Sequence, residues 1–210
     1  MRLLAPWPGA PGVVYGFTGR AGGVSAGPFA TLNLSFAVGD DAACVRRNHE
    51  ILARALPAGA RLAAMRQVHG ADVRIATPEA CELGEGDAAL TGAAGVAVAV
   101  LTADCVPILL CAGGGTVVAA IHAGWRGTAA DVAGAAVRAI AAGFAVPPAA
   151  IEARLGPAIG PCCYEVGDEV VAALRAVDEG PCTRCAAASW FSHRASDGRT
   201  GRQAAVIVRA

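Results

Sequence analysis

The stretch Val100–Thr128, VLTADCVPILLCAGGGTVVAAIHAGWRGT, decides the fold. Val106–Cys111 and Thr116–Ile121 are aliphatic, β-branched runs separated by Gly113–Gly115, and Val96–Leu101 is a third such run just upstream. Short apolar runs bounded by Gly and Asp predict buried, neighbouring strands. On that reading Asp104 and Cys105 stand at a break between strands. His122 closes a strand just before Gly124-Trp125-Arg126-Gly127 turns into a helix. Polar side chains at strand ends are placed for chemistry.

Upstream, Val13–Thr18 reads as a first strand, followed by a glycine-rich loop, GRAGGVSAGP, that is not a GxGxxG fingerprint. Asp40 or Asp41 can cap a helix running to about Leu56, with Val45, His49, Leu52 and Leu56 along one face and Arg46 and Arg47 near its start as solvated charges. Leu62–Val68 and Val73–Ile75 read as strands around His69-Gly70, and Asp87–Thr91 leads into the central strands. Downstream, Arg126–Ala142 reads as one helix, apolar at Val132, Ala136 and Ile140. Ile151–Leu155 is a strand, Asp168 to about Val177 a helix, and Ala204–Val208 a final strand. Strands outnumber helices and come in adjacent runs, so the expected fold class is a mixed α/β sandwich. The 210 residues suffice for one sizeable core, and a single domain over 1–210 is expected.

Composition narrows the function. Hydrophobic residues make up 55% of the chain against 16% charged, which excludes disorder. Acidic and basic residues balance at 17 each, which argues against a nucleic-acid surface and points to a small-molecule partner. All 17 basic residues are arginine, so a Walker lysine, a Schiff-base lysine and pyridoxal chemistry are excluded, and any phosphate must be held by Arg or backbone amides. Pro6, Pro8 and Pro11 interrupt the apolar N-terminal stretch, and Asp104, Pro107 and the glycine trio interrupt the longest apolar run. Neither a signal peptide nor a membrane span is therefore expected, and the eight cysteines are read as free thiols of a reducing cytoplasm.

His69, Cys105 and His122 together offer two imidazoles and a thiolate. Three protein ligands with a fourth position open suit a catalytic zinc, although no familiar short zinc motif is present. Three other readings stay open. The residues can be ordinary core groups; Cys105 can be a nucleophile with His122 or His69 as base; or the ion can be copper, with Met65 as a weak ligand. Arg126 stands at the expected helix start, where amides and dipole favour a phosphate or carboxylate, unless it stacks on Trp125 or pairs with Asp131. Cys182-Thr-Arg-Cys185 has CxxC spacing but no second pair of that form. Adjacent Cys162 and Cys163 cannot easily bridge each other, and Cys163 is read as a packed thiol or a substrate-side contact.

Nine runs carry a family resemblance: FTGRAGGVSAGPFATLNLS (17–35), GDD (39–41) with Asn48 beyond it, QVHG (67–70), GDAALT (86–91), LTADCVPILL (101–110), IHAGWRGT (121–128), GPAIGPCCYEVG (156–167), WFSHR (190–194) and TGRQA (200–204). In order and content they resemble the bacterial laccase-domain, or multicopper polyphenol oxidoreductase, proteins associated with purine nucleoside phosphorylase and adenosine deaminase activities. The resemblance implies a layered α/β sandwich similar to cysteine-hydrolase folds, with His69, Cys105 and His122 binding zinc or copper. It further implies phosphorolysis of adenosine, inosine or methylthioadenosine and deamination of adenosine at the Cys105 and His122 site, with a substrate or phosphate contact near Asn48. Beside it, the expected roles are Asp104 passing protons, Arg126 holding phosphate as a catalytic and substrate-binding group, and Cys163 contacting substrate. Multicopper oxidation is not expected, because four histidines cannot furnish several copper sites. Two departures from the pattern stand out: His49 replaces the arginine expected after Asn48, and a helix-sized segment is missing between Gly167 and Cys182. The alternatives are an amidase editing a peptidoglycan precursor through Cys105, or a zinc-stabilised protein that mainly binds a partner.

Overall fold

The computed structural model describes residues 4–174 and 182–209. Eleven strands form two sheets. The first holds β1 (Ala5–Pro6), β2 (Val13–Phe17), β3 (Arg61–Arg66), β5 (Glu82–Glu85), β7 (Val96–Thr102) and β11 (Gln203–Arg209), in the order β1-β2-β11-β7-β3-β5. The second holds β4 (Val73–Ile75), β6 (Ala88–Thr91), β8 (Val106–Ala112), β9 (Val117–Ala123) and β10 (Ile151–Leu155), in the order β10-β8-β9-β6-β4. Both sheets are mixed: β3 runs parallel to β7 and β4 parallel to β6, while β8, β9 and β10 pair antiparallel.

Side-chain alternation explains why the central strands carry no polar face. In β7, Val96, Val98 and Val100 point into the core between the sheets, with Leu109 and Cys111 of β8, Val118 and Ala120 of β9, and Ala205 and Ile207 of β11. Their alternates face outward but are covered too. Ala97, Ala204, Val206 and Val208 pack under Leu52 and Leu56, at the end of helix α1 (Ala42–Ala55). Leu90, Leu110, Ala119 and Ile121 pack under Val132, Ala136 and Ile140 of helix α3 (Val132–Phe144). The result is a helix–sheet–sheet–helix sandwich, and strands buried on both faces read as continuous apolar runs.

This arrangement corrects one expectation. Val96–Thr102 and Val106–Ala112 are consecutive but belong to different sheets, so they stack across the core instead of pairing edge to edge. The chain changes sheet at Ala103–Cys105, where Asp104 takes a left-handed φ of 84°. A second correction concerns Arg126–Ala142, which is two helices: α2 (Trp125–Ala129) and α3. Asp131 separates them with φ 60°, its side chain accepting from the Gly134 amide and capping α3. The helix expected from Asp168 to about Val177 is the shorter α4 (Asp168–Ala173), closed by an extended Leu174, and 175–177 lies outside the described residues. No helix among the described residues is long and apolar enough to cross a membrane.

Candidate metal centre

The turn between β3 and β4, the sheet crossover and the end of β9 meet at one end of the sandwich. They bring His69, Cys105 and His122 together, with their ligand atoms all within 4.8 Å of one another. The two imidazoles lie edge to face, with ring centroids 4.7 Å apart. His122 is buried, Cys105 half-buried and His69 exposed, so the group is walled on one side and open on the other.

Asp87, just before β6, sets this geometry. Its carboxylate is fully buried and accepts from three successive amides, those of Val68 (3.2 Å), His69 (3.0 Å) and Gly70 (2.7 Å). That ring of N–H groups around one anion holds His69 at φ 60°, a conformation non-glycine residues seldom adopt unaided. The same carboxylate meets Nδ1 of His122 at 2.8 Å, which leaves Nε2 to face the thiol. Carboxylates behind ligating histidines fix ring orientation in this way. Gln67 completes the turn, its side-chain amide donating to the Leu101 carbonyl at 2.8 Å and accepting from the Leu101 amide at 2.7 Å.

The electrostatics follow from this packing. Burial alone would raise the Cys105 thiol and lower His122. Hydrogen bonds and opposite charges outweigh it, so Cys105 is lowered to about 6 by His122 and His69, and His122 is raised to about 9 by Asp87 and Cys105. Asp87 likewise stays below its ordinary value despite burial, held by His122 and the amides. The two shifts support each other, favouring thiolate and imidazolium while no metal is bound; a metal ligand at His122 is the neutral imidazole.

The donor set fits a metal. Zinc takes N and S ligands at roughly 2.0–2.3 Å, so a spread of 4.8 Å closes with small side-chain rotations. Gly124 keeps the space open, because a Cβ there would stand 3.0 Å from His69 and 3.1 Å from the Cys105 sulfur. Met65 takes no part; it packs against the core between the sheets, which removes the basis for a copper site with a methionine ligand. His49 bonds the Leu34 carbonyl at 2.7 Å and stacks on Phe36, and His193 is exposed near Gly198. Only two of the four histidines therefore enter a ligand cluster among the described residues, which cannot supply several copper centres.

The remaining candidates divide. Asp104 is buried, with its carboxylate accepting from the Thr183 hydroxyl at 2.6 Å and the Arg194 amide at 2.8 Å, so it ties the tail to the crossover. Arg126 is exposed on α2 with its guanidinium 4.2 Å over the Trp125 ring, and Asp131 pairs with Arg138 instead. Asn48, expected to contact substrate, lies inside the protein. It is fully buried, donating to Ser25, Thr31 and Asn33 and accepting from the Val24 amide, so its side chain is spent on holding the glycine-rich loop. Cys163 faces other thiols, with its sulfur 3.3 Å from that of Cys185.

Asp87, Tyr164 and Arg202 were missed from sequence. Asp87 could have been found as the carboxylate directly heading the Ala88–Thr91 strand. Tyr164 and Arg202 feel the Cys105 and Asp104 charges, a proximity that no spacing discloses.

Comparison with known proteins agrees with this architecture. The family model for multi-copper polyphenol oxidoreductase laccase matches residues 14–181 and 174–210, two pieces that overlap at 174–181. A purine nucleoside phosphorylase of Streptomyces coelicolor is 48% identical over 170 residues, 80% of this chain and 70% of its own. The purine nucleoside phosphorylase YlmD of Geobacillus stearothermophilus is 37% identical over a 257-position alignment, covering 96% of this chain and 93% of the relative. Its crystal structure superposes with a TM-score of 0.89 at 34% identity, covering 99% of this chain and 96% of that one. A Neisseria meningitidis protein, NMB0706, gives 0.86 at 34%, covering 99% and 98%. With fold, motifs and cluster in agreement over nearly the whole length, the chain belongs to the multi-copper polyphenol oxidoreductase laccase family.

Proposed function

We propose that this protein is a zinc-dependent purine nucleoside phosphorylase that also deaminates adenosine, acting on adenosine, inosine and methylthioadenosine in the cytoplasm. The observation that carries the reading is the His69–Cys105–His122 cluster, open on the His69 side. The relatives' names supply the substrate class, a purine nucleoside and phosphate. A zinc ion, or copper in its place, would be held by these three side chains and would serve as a Lewis acid for a substrate oxygen or water.

The chain's own groups suit phosphorolysis, in which a phosphate oxygen bonds ribose C1′ as the bond to purine N9 breaks. Arg202 is half-buried close to Cys105 and Asp104; burial lowers its pKa, those negative charges oppose this, and a guanidinium stays charged at neutral pH. A guanidinium can hold phosphate bidentately, which suits Arg202 to that role, and Arg126 at the start of α2 would be a further phosphate contact on leaving the Trp125 ring. Tyr164 sits under Arg194, and burial pushes its hydroxyl above the ordinary value, so it remains a neutral donor able to support a proton at purine N7. Asp104 acts as a positioning residue, holding Thr183 and the Arg194 segment against the crossover. The eight cysteines, all free, support a reducing compartment.

The test is product chromatography with zinc-replete protein. Inosine should give hypoxanthine and ribose 1-phosphate only when phosphate is present, adenosine should yield inosine without it, and Cys105→Ala should abolish both. Intact nucleosides under every condition, with metal bound, would sink the reading.

One observation favours a second reading. Cys105 and His122 lie side by side, with the thiol lowered and the imidazole raised by each other, the pairing a cysteine hydrolase uses, which would suit an amidase acting on a peptidoglycan precursor. Chelation separates the two. It should stop nucleoside chemistry, whereas a metal-free nucleophile would survive it and be silenced by iodoacetamide.

A further inference from the structure

Four cysteines outside the His69–Cys105–His122 cluster also converge. We propose that Cys162, Cys163, Cys182 and Cys185 bind a second, structural zinc ion that fastens the C-terminal lobe to the loop following β10. The sulfurs all lie within 4.8 Å of one another, with Cys163 and Cys185 at 3.3 Å and Cys162 and Cys185 at 3.7 Å. Four thiolates on tetrahedral zinc at roughly 2.3 Å stand about 3.8 Å apart, a value within the 3.3–4.8 Å range of these sulfurs.

The backbone is shaped for an ion. Cys182 and Cys185 form a turn in which the Ala186 amide donates to the Cys182 carbonyl at 3.0 Å, which keeps the two thiols of the CxxC pair on one side of the chain. On the facing loop, Cys163 and Tyr164 donate to the Gly160 carbonyl, turning the adjacent Cys162 and Cys163 toward the same point. Adjacent cysteines do not readily bridge each other, but both can serve one ion. Gly160 allows the approach: a Cβ there would lie 3.2 Å from Cys182 Cβ and 3.5 Å from the Cys162 sulfur. All four thiols are free, and two are exposed. A tetrahedral set of four sulfurs selects zinc or iron, and complete protein ligation with no open position makes the role structural.

The site has a structural task. Cys182 bridges to Ala158, the Thr183 amide donates to the Ala158 carbonyl at 2.9 Å, and the Thr183 hydroxyl reaches Asp104 beside Cys105. A zinc at the four thiols would hold Thr183 in that position where the chain lacks the helix-sized segment expected from the family pattern. The proposal does not depend on the nucleoside phosphorylase reading.

The experiment is elemental analysis of zinc-reconstituted, desalted protein, with thiols counted in unreduced, denatured, chelated samples. Wild type should carry one zinc more than Cys182→Ser/Cys185→Ser and should show all eight thiols. Cys105→Ser should keep that second zinc. Equal zinc in wild type and the double variant overturns the proposal, as does iron in its place or a thiol count two short of eight. Should the double variant fail to fold, cobalt titration of metal-stripped wild type decides. Two binding steps, one with several-fold stronger thiolate charge-transfer absorption per ion, support the four-thiol site, and a single weak step refutes it.

Discussion

Gly124 shows how much one missing methyl can matter. Its φ of −75° suits alanine, so Gly124→Ala should fold, yet the new Cβ would press on His69 and Cys105 at 3.0 and 3.1 Å. Metal affinity should fall by roughly 10–100-fold, the size of effect seen when groups behind ligands are disturbed; competition with a chromophoric chelator measures it. Cys105 itself can be followed by site-resolved mass spectrometry of iodoacetamide alkylation in metal-stripped protein. Because its pKa is lowered to about 6, the rate should rise through that pH and level off well below the ordinary thiol range. Asp87→Asn weakens the His122 imidazolium that sustains the thiolate, so the midpoint should move upward toward 9. A midpoint unchanged in the variant would mean that Asp87 does not act through His122. At this scale His69, Cys105 and His122 were legible only as a set of plausible donors, and the family motifs singled them out. The four-thiol cluster was not legible, because Cys162-Cys163 and the CxxC pair are joined only by the folding of two distant loops.

Elements were read more securely than their partners. Val45 and Leu52 of α1 are buried as their spacing requires, while Arg46 and Arg47 are exposed. Leu52→Ala should therefore cost about 2–5 kcal/mol and Arg46→Ala no more than about 0.5 kcal/mol, as measured by urea unfolding. The central strands were equally plain, since runs such as Val117–Ala123 are buried on both faces. What such a run cannot say is which sheet it joins. Nothing in Val96–Ala112 distinguishes a hairpin from a crossover between sheets, and only the left-handed turn at Asp104 makes the difference. The break between α2 and α3 was hidden for a related reason: no Pro or Gly marks it, and Asp131 supplies both the left-handed turn and the cap. Asp131→Ala should lower the melting temperature more than Asp131→Gly, because glycine keeps the positive φ without strain. Both variants lose the carboxylate cap, so the difference between them reads the turn, and the reverse order would show that the left-handed φ carries no penalty there.

Across the molecule, the site lies where the two sheets are laced together. The Val68–Gly70 turn leaves β3 of one sheet, Asp87 and His122 belong to the other, and the buried Asp87 carboxylate connects them. Its pKa is below the ordinary value of 3.8, so the folded state binds that proton less readily than the unfolded chain does. Its stabilisation is therefore complete above the unfolded pKa and is lost as pH falls through the folded one. In metal-stripped protein, stability should decline below about pH 4, and the decline should be shallower in Asp87→Asn, which lacks the proton-linked group. At pH 7 the same variant should lose about 2–3 kcal/mol, since a neutral amide cannot accept from three amides and an imidazolium together. For a chain of this size that corresponds to a melting temperature roughly 4–12 °C lower. Calorimetry across pH tests both parts, and parallel acid limbs in wild type and variant would place the acid-sensitive link between the sheets elsewhere than Asp87.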